Sequence, residues 1–194
     1  MPSSPSAGSR RLLVTLTVVA VVVLVVDQLS KRWALSSLVP GERTDLLGHA
    51  LGFQLVFNPG AALSIATGMT WVLTLVALGV VVLVVRASRR IGSMLWAVSL
   101  GLLLGGAIGN LVDRLVREPG FARGHVVDFI AYGDLFVGNV ADIAIVVAAV
   151  LIVLAVLLGV HLDGSRDGDR RGDDEPDEHA EASTGRTGEA TNGA

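Results

Sequence analysis

The chain contains no cysteine. A disulfide framework, a thiol nucleophile and a Cys-based metal site are all excluded by that absence. Charge is scarce too. Only 17% of the 194 residues are Asp, Glu, Lys or Arg, 52% are hydrophobic, and the mean hydropathy is +0.64. A soluble domain of ordinary composition carries more charge than this. The four histidines, His49, His125, His161 and His179, are scattered, and no two have the short spacing of a zinc-binding helix. No cofactor or metal is therefore expected. No basic patch points to nucleic acid as a partner, and no Gly-x-Ser-x-Gly, Walker loop or strand-following G-x-G-x-x-G points to a soluble enzyme class.

The charge that is present is unevenly placed. Residues 163–194 hold ten acids against four arginines, a net −6 in a chain whose total is −3, so the first 162 residues are +3. The tail has almost no aliphatic bulk. It cannot bury enough surface to fold, and residues 161–194 are expected to be a disordered, solubilising cytoplasmic extension.

The apolar residues come in four blocks, each near the roughly 20 residues that cross a bilayer. Spans are expected at about 12–29, 69–85, 91–108 and 140–160. The first block, preceded by Arg10 and Arg11, has the look of a secretory signal peptide. However, no small-x-small cleavage site closes its core, and Asp27 and "QLSKRW" follow directly, so a retained span is expected. Arg10 and Arg11, and Arg86, Arg89 and Arg90 between spans two and three, stand without acids. By the positive-inside rule the N-terminal residues 1–11, the 86–90 loop and both termini are then cytoplasmic. The segments 30–68 and 109–139 fall outside. Within the first of these, Leu51, Phe53, Leu55 and Phe57 alternate with other residues, which predicts a strand or hairpin on the outer membrane surface, ended by "NPG". Gly101, Gly105 and Gly109 recur every four residues in span three, a spacing that admits close approach of a neighbouring helix.

Polar residues break the apolar pattern only near the outer face. Asp27 and Lys31 are an i,i+4 pair, and Asn110 has Asp113 and Arg114 three and four residues on. Ion pairing at a membrane interface is a sufficient reading for those groups. Asp128 in "VVDFI" and Asp142 in "NVAD" are different. Neither has a Lys or Arg within four positions, and both sit in aliphatic sequence. An ionised carboxylate near the bilayer centre costs about 2.5–3.5 kcal/mol even on the mildest scale. Two such groups brought together share one proton, and an acid–base pair of this kind activates water against a carbonyl. The apolar neighbours are expected to raise at least one carboxyl pKa.

The ordered motifs "DQLSK", "FNPGAALS", "GNLVDR", "VVDFI" and "NVADIAI" over four spans resemble the signal peptidase II family, the bacterial lipoprotein signal peptidases, which are membrane aspartyl proteases. The resemblance covers residues 12–160 and leaves the acidic tail outside it. It implies a fold of four transmembrane helices, all-α but for a small extracytoplasmic β-cradle at about 41–66. It implies cleavage of signal peptides from diacylglyceryl-modified prolipoproteins, just before the lipidated cysteine, by a monomer in the bacterial cell membrane, with lipid as its surroundings. Asp128 and Asp142 match the catalytic dyad. Asn58, Gly60, Asn110, Arg114 and Asn139 match substrate-binding positions, and Asp27, Lys31 and Asp113 match structural supports. Two positions depart from the family pattern: Leu63 stands in place of Phe, and Gly138 in place of an aromatic residue before "NVAD". A small proton-coupled transporter is the alternative from another class, since intramembrane acids also mark such pathways. That reading expects acids at the midplane and broken helices.

Overall fold

A computed structural model describes residues 7–60 and 70–166. The expectations that fall on residues 1–6, 61–69 and 167–194, including Leu63 and most of the acidic tail, lie outside the described residues. Four helices are long and apolar enough to cross a membrane: α1 (Ala7–Ser37), α2 (Thr70–Ser88), α3 (Met94–Val116) and α4 (Val140–Leu157). α1 and α3 run well beyond the spans expected at 12–29 and 91–108. Their last turns carry "DQLSK" and "GNLVDR", which a hydropathy reading truncates because those turns hold charges.

α3 is the central helix and packs against α1, α2 and α4. Its expected glycine stripe is what brings α1 in. A Cβ at Gly101 would lie 2.8 Å from the Leu16 carbonyl, and one at Gly105 would lie 2.7 Å from both the Ala20 carbonyl and the Val23 Cβ. Gly106, on the other side of the helix, does the same for α4: its Cβ would fall 2.6 Å from the Ala141 carbonyl. On α1 the buried residues Leu16, Ala20, Val23, Asp27, Lys31 and Ala34 form one stripe at helical spacing. The same seam that packs greasy side chains in the membrane therefore delivers two charges to its end.

Beyond that end lies a four-stranded antiparallel sheet, β1 (Arg43–Leu47), β2 (Leu51–Asn58), β3 (Val126–Tyr132) and β4 (Phe136–Gly138), in that spatial order. The all-α description thus holds for the membrane part alone. The strand expected at 51–57 is β2, but its strict alternation fails, because a register shift between Phe53 and Val56 leaves Leu55 buried and Phe57 exposed. β3 was not expected as a strand. Its run "VVDFIAY" has no polar alternation, since both faces are covered and four consecutive residues from Val126 are buried. One face, with Leu55, Val127 and Phe129, packs on Ala34 and Leu38 at the end of α1. Trp33 closes it edge-on, with ring centroids 5.0 Å from Phe53 and 6.1 Å from Phe129.

At the opposite end, Leu12, Ala87, Ile91 and Leu162 belong to one apolar cluster, which places the start of α1, the α2–α3 connection and the chain after α4 together. Residues 161–166 were expected as the start of the disordered tail, and the structure places them in a tight turn against that connection. The Gly92 amide donates to the Leu162 carbonyl at 2.8 Å, and the Trp96 indole donates to the Val160 carbonyl at 2.9 Å. Leu162 supplies the apolar anchor that the residues after it lack.

Candidate active site

Asp128 lies on the face of β3 opposite Val127 and Phe129, and register decides its first partner. Val56 is opposite Asp128 and Asn58 is opposite Val126, so Asn58 and Asp128 are diagonal neighbours on adjacent strands. The Asn58 side-chain amide donates to Asp128 Oδ2 at 2.8 Å. Its carbonyl oxygen accepts the Gly60 amide at 2.7 Å, which fixes the orientation of the side chain. Gly60 has φ +111, a conformation that side-chain-bearing residues rarely adopt, so the turn favours glycine.

The β3–β4 hairpin then returns the chain, with Tyr132 opposite Phe136 and Ile130 opposite Gly138. Asn139 follows as the N-cap of α4. Its side-chain oxygen accepts from the Asp142 amide at 3.0 Å, and the Asp142 carboxylate accepts from the Asn139 amide at 3.0 Å, a reciprocal capping box. The Asn139 side-chain N–H groups are thereby left to face the sheet, and one donates to Asp128 Oδ1 at 2.6 Å. The two carboxylates are brought together by the hairpin and by one shared asparagine.

Asn110 completes the frame from α3. Its oxygen accepts from Lys31 Nζ at 3.0 Å and from Asn139 at 3.2 Å, and its amide donates to Asp142 Oδ1 at 2.9 Å. A lysine ammonium only donates, so Lys31 dictates which end of the Asn110 amide faces Asp142. Lys31 is fully buried between Asp27 at 2.8 Å and Asp113 at 2.9 Å, both also fully buried. Each acid does a second job. Asp27 accepts the Ala141 amide at 3.0 Å and so holds the first turn of α4, and Asp113 accepts the Val127 amide at 3.2 Å and so holds β3 beside Asp128.

Burial pushes the Asp128 carboxyl up to about 7, helped by the negative charge of Asp142 and opposed by the amides of Asn58 and Asn139. Among the described residues no basic side chain forms an ion pair with Asp128 or Asp142.

The site brings together Asp27, Lys31, Asn58, Gly60, Asn110, Asp113, Asp128, Asn139 and Asp142. Arg114 is also there, buried, within electrostatic reach of Asp128, Asp113 and Asp142, but it makes no direct ion pair with Asp113. That acid pairs with Lys31 and with Arg117 at 2.7 Å, while Arg114 Nη1 has no hydrogen-bond partner among the described residues. Two contributors escaped the sequence reading. Arg117 follows Asp113 at i+4, a signal that was readable. The amide of Gln28 donates to Asp27 Oδ2 and to the Gly109 carbonyl, both at 3.1 Å, and its place inside the "DQLSK" motif was the one available signal. The acids stand at one end of unbroken helices, which is not the midplane arrangement of a transporter.

Fold and site together define a multi-pass membrane protein with a carboxylate pair, Asp128 buried and Asp142 half-buried, at one end of its helices. A family model for signal peptidase (SPase) II matches residues 19–158. The lipoprotein signal peptidase of Rhodococcus jostii is 54% identical over 150 residues, covering 77% of this chain and 75% of that protein. That of Mycobacterium tuberculosis is 51% identical over 150 residues, covering 77% and 73%. A solved bacterial membrane enzyme superposes with a TM-score of 0.66 at 27% identity, over 74% of this chain and 92% of that one. The chain belongs to the signal peptidase II family.

Proposed function

We propose that the chain removes signal peptides from diacylglyceryl-modified prolipoproteins, cutting before the lipidated cysteine, with Asp128 and Asp142 as an aspartic catalytic dyad. The observation that carries the reading is the hydrogen bonding of the two carboxylates. Both oxygens of each accept an N–H, three from asparagine side chains and one from the Asn139 backbone, and among the described residues no Lys or Arg is in direct ion-pair contact with either. An ion pair of purely structural purpose is built the other way, as Lys31 is with Asp27 and Asp113.

The chemistry follows from one shared proton. Asp128, whose burial favours the neutral acid, donates to the scissile carbonyl oxygen. Asp142 takes a proton from a water whose oxygen bonds to the carbonyl carbon. In the collapse of the tetrahedral intermediate the C–N bond breaks. The leaving amine takes the proton held on Asp142, and the hydroxyl proton returns to Asp128. Asn58, Gly60, Asn110, Arg114 and Asn139 border the path of the substrate backbone, and the unpaired Nη1 of Arg114 is a donor suited to one of its carbonyls. Asp27, Lys31 and Asp113 position the frame.

One chain supplies every group named, which favours a monomer surrounded by membrane lipid. The arginines without acids, Arg10, Arg11, Arg86, Arg89 and Arg90, lie at the end remote from the dyad. By the positive-inside rule the dyad is extracytoplasmic and both termini are cytoplasmic. The test is cleavage of a diacylglyceryl-modified prolipoprotein by purified protein in detergent, beside the unmodified precursor. Cleavage of the modified form alone is expected. A folded protein that cuts neither would refute the reading.

A further inference from the structure

Phe136 is the residue in the site region that the chemistry above does not use. It lies on β4, an edge strand, and is 56% exposed although it is a large apolar ring. Three observations give it a place. Its ring stacks on Tyr132, with centroids 4.7 Å apart and planes at 21°. It leans over Gly138, where a Cβ would lie 3.2 Å from the Phe136 ring and 3.1 Å from Asp142 Oδ2, so the missing side chain at 138 makes room for it beside the carboxylate. Finally, it is a common wall of two clefts. One, of about 210 Å³, is lined by Tyr132, Phe136, Asp142, Ile143, Val146 and Val147. The other, of about 220 Å³, is lined by Val56, Phe57, Asn58, Pro59, Asp128, Phe136 and Val137.

The two clefts differ in what they suit. The first starts at Asp142 and follows one side of α4, where Ile143, Val146 and Val147 are exposed at i, i+3 and i+4 spacing. That is the surface of a membrane span, so an acyl chain lying there remains in hydrocarbon. The second starts at Asp128 and is floored by the sheet and the Asn58–Pro59 turn, beyond the spans. It suits an apolar side chain of an extended peptide. A substrate whose lipid is attached to the residue just after the scissile bond needs one cleft on each side of that bond.

We infer that Phe136 is a specificity-determining partition. It separates an acyl-chain cleft on the Asp142 side from a peptide side-chain cleft on the Asp128 side, and so limits the size of one side chain that precedes the scissile bond. The inference rests on the proposed peptidase activity. It assigns the ring a selective role that packing alone does not require.

The test uses the full chain in detergent and lipid-modified precursors in which each of the three residues before the cysteine is changed in turn to Phe. The wild type should reject Phe at one of the positions. Phe136→Ala joins the clefts and should relieve that rejection, changing the ratio of kcat/KM values at that position by about tenfold. Phe136→Leu, which keeps most of the bulk, should resemble the wild type. Should Phe136→Ala fail to fold, Tyr132→Leu removes the stack that holds the ring and should shift the same ratio in the same direction. Equal ratios in the wild type and the variant at all three positions would overturn the partition and leave the peptidase reading intact. A wild type that cuts no lipid-modified precursor would overturn both.

Discussion

Asn139 donates its side-chain amide to Asp128 at 2.6 Å. The same residue caps α4 through Asp142, so the hydrogen bonds that start the helix also set the two carboxylates against each other. Helix capping and assembly of the site are one event in this protein, and the consequences can be measured.

Replacing either carboxylate should stop turnover. Asp128→Asn and Asp142→Asn should each lower kcat by about a thousandfold or more while the protein stays folded. Gel-shift cleavage of a lipid-modified precursor, beside a thermal unfolding curve for each variant, measures both.

Asp128 also predicts two pH dependences. Its carboxyl holds a proton up to about pH 7 in the folded protein, against the ordinary 3.8. Between those values the native state binds more protons than the unfolded chain, so this group makes stability fall as pH rises, and the loss is complete above about pH 7. The difference in Tm between the wild type and Asp128→Asn should move in favour of the variant between about pH 4 and 7 and then level off. Because the acid form is the catalytic one, kcat/KM should decline above about pH 7 with unit slope. A profile flat to pH 9 would contradict the acid role of Asp128.

Lys31 holds Asp27 and Asp113 together in a site with no solvent exposure. Lys31→Met leaves buried Asp27 without a cation and Asp113 with Arg117 alone, and should cost about 3–5 kcal/mol. Adding Asp27→Asn to that variant should recover much of the loss in Tm, because the uncompensated charge is then gone, whereas adding Asp113→Asn should recover little, because Asp113 keeps Arg117.

The glycines of α3 and α2 should behave in opposite ways. A Cβ at Gly105 meets the backbone of α1, so Gly105→Val should separate the helices and lower Tm sharply. Gly79 in α2 has nothing within 4 Å of an added Cβ, so Gly79→Ala should be neutral or stabilising by up to about 1 kcal/mol through helix propensity. Detergent melts of the two variants decide this.

Orientation is directly accessible, because the chain has no cysteine of its own. Asp134→Cys in the β3–β4 turn should react with a membrane-impermeant maleimide in intact cells. Ser93→Cys, at the start of α3 where no side-chain cap bond is lost, should react only after permeabilisation. The reverse pattern would invert the proposed topology.

By itself the sequence determined the four spans, the glycine seam and the identity of the polar residues, because these depend on local composition and on helical spacing. The absence of cysteine and the isolation of Asp128 and Asp142 from cations were equally legible, since both are properties of neighbours in the chain. Only the tertiary structure decided who pairs with whom. Asp113 neighbours Arg114 in sequence yet bonds Lys31 and Arg117, because the packing of α1 on α3 brings Lys31 to its carboxylate and the turn of α3 brings Arg117. β3 was invisible because a strand buried on both faces shows no period-two pattern. The meeting of Asp128 and Asp142 depends on a hairpin register and on Asn139 pointing one way at a helix start. These are contacts between segments, and spacing along the chain carries no record of them.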